Sequence, residues 1–179
     1  KEYQNLAKSL FNRELDAYVI TRAISSYERS LISRSSRFDQ YRAGNRKSLN
    51  TDEIAGWKLF SEKLYCIKCH SGPDFTNYSV VSNGLYSDYG LDQGRYRING
   101  IEKEKGTFKV PGLRNVSLTA PYMHDGSVKT LREVILHYAK GGNDFPNKSP
   151  LIKPFSLTDV EIRQLESFLE SLADTLLVY

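Results

Sequence analysis

The sequence predicts an all-α domain interrupted by long irregular loops, on three observations. Helix-start signatures recur along it: Asn50 with Glu53, Thr130 with Glu133 and Thr158 with Glu161 each pair an N-cap residue with an acidic residue three positions on. Apolar residues recur at helical spacing, with no convincing strand ladder. The stretch from Ser71 to Gly106 is dominated by Gly, Pro, Asn, Asp and Tyr and carries no clear period.

Length and composition narrow the class. At 179 residues the chain reads as a single domain spanning 1–179, with residues of about 1–40 forming an N-terminal helical arm packed on it. A hydrophobic fraction of 40% supports a core. No apolar run approaches transmembrane length. The 25 basic residues are scattered among 21 acidic ones, and the formal charge of +4 gives nucleic-acid binding little support.

Each element follows in order. Across roughly 14–35, Leu15, Val19, Ala23, Tyr27 and Leu31 repeat every four residues, while Arg13, Arg22, Glu28, Arg29 and Arg34 occupy other faces. That is an amphipathic packing helix. Tyr41 to Asn50, with Gly44, Asn45 and several cations, reads as a polar turn. Asn50 then caps a helix that leads towards Cys66. A loop as long as the one after His70 is functional or disordered inside a compact domain, and its many aromatic residues favour function. Thr130 opens a helix that stops at Lys140-Gly141-Gly142. Thr158 opens the last, whose Ile162, Leu165, Phe168, Leu169 and Leu172 share one face. Burying each such side chain contributes roughly 1.5–3 kcal/mol, so this helix closes the core.

Chemistry concentrates in Cys66-Ile67-Lys68-Cys69-His70. A Cys-x-x-Cys-His run is the attachment signature of c-type haem: the thiols add to the vinyl groups and the imidazole becomes an axial iron ligand. Two alternatives fit less well. Structural zinc takes four ligands, from a supply here of two Cys and three His. A thioredoxin-like dithiol follows a strand, whereas Glu53 to Phe60 is helical in pattern. The fold class is therefore a cytochrome c-like haem domain, its loops wrapped around the haem and both cysteines consumed by it. Haem propionates would bring the charge nearer neutral. Haem c matures outside the cytoplasm, so a secretion signal is expected before Lys1, and the chain is expected to be part of something longer.

A second stretch narrows the field. Gly106 to Gly126 contains Val110-Pro111-Gly112-Leu113-Arg114-Asn115 and Pro121-Tyr122-Met123-His124-Asp125-Gly126. With the haem motif upstream and Thr130–Gly142 downstream, it resembles the bacterial dihaem cytochrome c peroxidase family, including its MauG branch, over about Leu15 to Leu172. The resemblance is to the C-terminal haem domain. It implies an electron-relaying haem held by Cys66 and Cys69 with His70 as proximal ligand, in an enzyme that reduces hydrogen peroxide at a haem in a separate N-terminal domain. It further implies an electron-donor cytochrome or cupredoxin as partner, and a periplasmic location. A calcium ion held in part by the backbone carbonyls of Thr119 and Pro121 is also implied, with a further ligand from the N-terminal domain. The alternatives are a MauG-like oxidase acting on a protein or organic substrate, and a non-catalytic electron carrier.

The second axial ligand is the open choice. In the peroxidases it resembles, a methionine lies fourteen residues after the histidine of the Pro-Tyr-x-His loop; counting from His124 reaches Tyr138, and the MauG branch has a tyrosine there. Leu131, Val134, Ile135 and Tyr138 also follow i, i+3, i+4, i+7, so the phenol ends an apolar stripe. Met123, the one methionine, is the weaker candidate. A thioether favours Fe(II) and raises the potential; a phenolate favours Fe(III). His137 is expected in solvent and His124 at the haem edge. Arg114 and Arg95 are candidate propionate partners. Trp57 is expected in the core, and Phe75, Tyr78 and Phe108 are candidate haem-wall residues.

Overall fold

The structure, a computed structural model, describes residues 1–174; residues 175–179, the last of the 1–179 span expected as one domain, lie outside the described residues. The described residues divide into two compact units, 1–34 and 35–174.

The first unit holds α1 (Glu2–Phe11) and α2 (Ala17–Ser30). α1 stops where Asn12 turns left-handed at φ 52° and its N–H bonds the Lys8 carbonyl. Asp16 caps α2 by accepting from the Val19 N–H. Starting at this cap and ending at Ser30, α2 is shorter than the expected 14–35 span. Val19 is buried, whereas Leu15, Tyr18, Ile20, Ile24 and Tyr27 are exposed.

The second unit opens with a short helix that the sequence reading passed over, α3 (Arg37–Arg42). Its start is a full capping box: Ser36 accepts from the Asp39 N–H while Asp39 accepts from the Ser36 N–H. The polar turn expected from Tyr41 thus begins only after Arg42. The Asn50 cap forms as expected and starts α4 (Thr51–Lys58), which runs into a π-helical turn, Leu59–Lys63. Buried Glu53 both closes that cap and pairs with Arg37. Capping boxes at Thr130 and Thr158 start α6 (Leu131–Ala139) and α7 (Asp159–Glu170). Between α4 and α6 the chain is largely loop, with a two-stranded antiparallel pairing of β1 (Val80–Val81) and β2 (Phe108–Lys109) and a single turn, α5 (Tyr96–Asn99). The all-α class stands, with this small ladder as an addition.

The core forms where α4 meets α7. Phe168 and Leu172 have no exposed surface. Phe38, Trp57, Phe60 and Phe75 surround Phe168 with ring centroids 5.1–6.1 Å away, within the range of favourable edge and tilted aromatic contacts. Gly56 lets the two helices meet: a Cβ there would lie 1.9 Å from the Gln164 carbonyl oxygen and 2.8 Å from Phe168 Cβ.

A second tie joins α3 to the loop before α6. Arg114 Nη1 and Nη2 donate to the two Asp39 carboxylate oxygens at 2.7 Å each, and its Nε donates to the Pro73 carbonyl at 2.8 Å. Burial alone would raise the Asp39 pKa, but Arg114 and Ser36 outweigh it and hold the carboxyl below its ordinary value. A lowered folded-state pKa contributes stability that is present above the unfolded value and lost as pH falls through the folded one. The stability difference between the native protein and Asp39→Asn should therefore shrink as pH drops below about 4. Urea denaturation at stepped pH checks this; a pH-independent difference would contradict it.

Candidate functional site

Cys66, Cys69 and His70 share one tight turn. The π turn ends at Leu64, and Tyr65 then takes a left-handed conformation at φ 55°, a costly backbone state for a bulky residue. The helical turn Cys66–Lys68 follows. The Cys66 carbonyl accepts both the Cys69 N–H at 3.2 Å and the His70 N–H at 2.9 Å. Asn77 fastens the turn from outside, its N–H donating to the Cys69 carbonyl and its side-chain amide to that of Lys68.

The two thiols are free and half-buried. Burial pushes the Cys66 thiol up to about 11 and raises that of Cys69. Such thiols remain protonated at neutral pH, unlike the low-pKa thiolates of dithiol redox motifs. No set of three or more His, Cys, Asp or Glu among the described residues forms a metal cluster.

His70 is more constrained. Its Nδ1 lies 3.0 Å from the Phe75 carbonyl and 3.2 Å from that of Pro111. Carbonyls only accept, so the proton sits on Nδ1 and Nε2 carries the lone pair. Burial pulls the imidazole pKa below its ordinary value despite these two bonds, keeping the ring neutral. A neutral ring with a free Nε2, and the other nitrogen held by a carbonyl, is the form that ligates iron. The Phe60 ring lies 6.4 Å away and connects this site to the core.

The two candidates for the opposite axial position meet at one residue. The Asn83 side-chain amide donates to Tyr138 Oη and to Met123 Sδ, each at 3.4 Å. Burial raises the Tyr138 pKa, the Asn83 N–H opposes it, and Cys66 and Cys69 push it further up. Met123 sits at φ 72° in the Pro121–Gly126 loop.

The other candidate residues make contacts of their own. Arg114, a candidate propionate partner, is occupied by Asp39 and Pro73 as described, and Arg95 pairs with Glu104 at 2.9 Å. His137, expected in solvent, is half-buried with Nε2 3.1 Å from the Asn83 carbonyl, because the 83–84 loop packs on the end of α6. His124 stacks on Phe108 at 3.6 Å and bonds Asp92. Phe75 belongs to the aromatic core and Tyr78 is exposed. Thr119 and Pro121 lie in an exposed loop on either side of Ala120. Asn83 was missed by sequence reading: the Asn83-Gly84 pair signals a turn, but nothing local aims its side chain at Tyr138.

A helical domain carrying two free thiols and a clamped, neutral imidazole on one turn has the donor set of a c-type haem protein. Comparison with known proteins gives the family. A family model for di-haem cytochrome c peroxidase matches residues 1–47. The methylamine utilization protein MauG of Methylorubrum extorquens is 34% identical over 172 residues, 95% of this chain and 49% of that protein. Cytochrome c551 peroxidase of Nitrosomonas europaea is 36% identical over 138 residues, 75% of this chain and 41% of that one. A crystal structure of a MauG-like protein associated with microbial copper homeostasis superposes with a TM-score of 0.83 at 32% identity, covering 97% of this chain and 62% of that one. The chain belongs to the dihaem cytochrome c peroxidase and MauG family, in which haem c is the implied cofactor. It spans about half the length of the curated relatives it matches.

Proposed function

We propose that this chain is the electron-relaying haem c domain of a dihaem cytochrome c peroxidase-like enzyme, with hydrogen peroxide reduced at a haem in an N-terminal domain of the same protein. The observation that carries this reading is the clamped His70 ring, with Nε2 free, on the same turn as two unbridged thiols. Cys66 and Cys69 would hold the haem through thioether bonds, His70 Nε2 would be the proximal ligand, and Tyr138 the opposite one, with Met123 the weaker candidate. Haem c bound there supplies reversible one-electron chemistry.

The residues of this chain would do three things. The Phe75 and Pro111 carbonyls keep the His70 proton on Nδ1, so the ring presents a lone pair at any pH where it is neutral. The aromatic core excludes water behind His70. If His70 and Tyr138 both held the iron, peroxide would find no open coordination site. The haem-loaded chain alone should accordingly show little peroxidase activity in a stopped-flow assay; robust turnover would contradict a closed relay site.

Tyr138 favours a second reading, a MauG-like oxidase acting on a protein or organic substrate, because a phenolate favours Fe(III) where a thioether favours Fe(II). Tyr138→Phe should alter the ferric absorption spectrum of the haem-loaded chain, and an unchanged spectrum would remove the phenolate. The third reading, a plain electron carrier, is separated from both by a second Cys-x-x-Cys-His motif in the longer protein. Calcium at the Thr119 and Pro121 carbonyls, an electron-donor cytochrome or cupredoxin, and a periplasmic location complete the proposal. No helix among the described residues is long and apolar enough to cross a membrane.

A further inference from the structure

We infer that Asn83 is a positioning residue for the axial ligand, a hydrogen-bond donor that sets how strongly the Tyr138 oxygen binds iron. The inference rests on the proposed role of Tyr138 and goes beyond it to a residue that touches the ligand rather than the metal.

Three hydrogen bonds hold Asn83 and the residue after it. Its Oδ1 accepts from the Leu85 N–H at 3.1 Å, which fixes the side-chain orientation and turns Nδ2 away from that bond. Its backbone carbonyl accepts from His137 Nε2 at 3.1 Å, one residue before Tyr138 on α6. The next residue, Gly84, offers its carbonyl to the Asn143 N–H at 2.7 Å, so the loop is tied to the chain just beyond the same helix. Gly84 takes φ +65° where a Cβ would lie 2.7 Å from the Asn143 carbonyl, and only glycine fits. The amide is thus anchored to the element that carries the phenol.

Nδ2 has two hydrogens and faces two acceptors, Tyr138 Oη and Met123 Sδ, each at 3.4 Å. A donor on a phenolate oxygen withdraws electron density from it. Charge on that oxygen is greater opposite Fe(II) than opposite Fe(III), so the donor favours the reduced state and raises the potential. The second hydrogen holds the thioether in the same cluster.

The test uses the haem-loaded chain and reads potential and ferric spectrum rather than turnover. Asn83→Leu removes the donor, and Asn83→Asp removes it while keeping a side-chain oxygen to accept from the Leu85 N–H. Both should favour Fe(III) by roughly tenfold, which lowers the reduction potential by about 59 mV for one electron, and Asn83→Leu should move the ferric charge-transfer band to longer wavelength. In the Tyr138→Phe background Asn83→Leu should have no comparable effect. Wild-type potentials in both Asn83 variants, or an undiminished Asn83→Leu effect without the phenol, would overturn the inference while leaving the Tyr138 ligand in place. A wild-type spectrum in Tyr138→Phe alone would overturn the ligand reading first, and this inference with it.

Discussion

Replacing Cys66 and Cys69 together with serine is expected to abolish covalently retained haem. Two thioether bonds are the attachment, and a hydroxyl does not form them. The substitution is gentle to the protein: the turn is built by the Cys66 carbonyl, not by either sulfur, and serine is close to cysteine in size. Secondary structure should therefore survive while the haem stain on a denaturing gel disappears, after expression with the haem c maturation machinery. Wild-type staining in the double variant would eliminate these thiols as the attachment site. His70 would still offer Nε2 in this variant, so non-covalent haem that is lost on denaturation is compatible with the expectation.

Gly56→Ala should be the most damaging single methyl added to the core. The new Cβ would meet the Gln164 carbonyl at 1.9 Å, and that atom is helix backbone rather than the end of a flexible side chain. Relief requires α4 and α7 to separate, which disturbs the Phe168 ring against Trp57 and Phe60. Overpacking typically costs 1–3 kcal/mol and occasionally more; a backbone clash this close is expected at about 3 kcal/mol or above. Urea denaturation of the chain checks it, and a loss below about 1 kcal/mol would mean that the crossing is looser than its geometry.

Local chemistry made much of this fold legible. The three helix starts at Asn50, Thr130 and Thr158 were readable because a cap and its reciprocal carboxylate lie three residues apart in the chain and bond in the structure. The apolar face of α7 was readable for the same local reason. α3 was overlooked although Ser36 and Asp39 carry the same signature, because its six residues show too little periodicity to compete with the polar turn that follows. The π turn at Leu59–Lys63 has no distinct residue code. At the candidate site the turn bearing Cys66, Cys69 and His70 was fully legible. The carbonyls on His70 were not, since the Pro111 contact spans 41 positions in sequence. The partner of Arg114 was hidden for a related reason: a guanidinium advertises a carboxylate, but spacing does not reveal Asp39, 75 residues earlier.

The two carbonyls on His70 have a consequence for assembly. An unrestrained imidazole can present either nitrogen and rotate about two torsions, and a metal must select one arrangement from many. Here folding has already removed that freedom: Phe75 brings one carbonyl from the loop just after the motif, and Pro111 brings the other from the segment after β2. The orientation of the proximal ligand is thus coupled to closure of the loop between residues 71 and 111. A chain in which that loop is cut or loosened should still carry its thiols and its histidine, yet lose the aim of the ring.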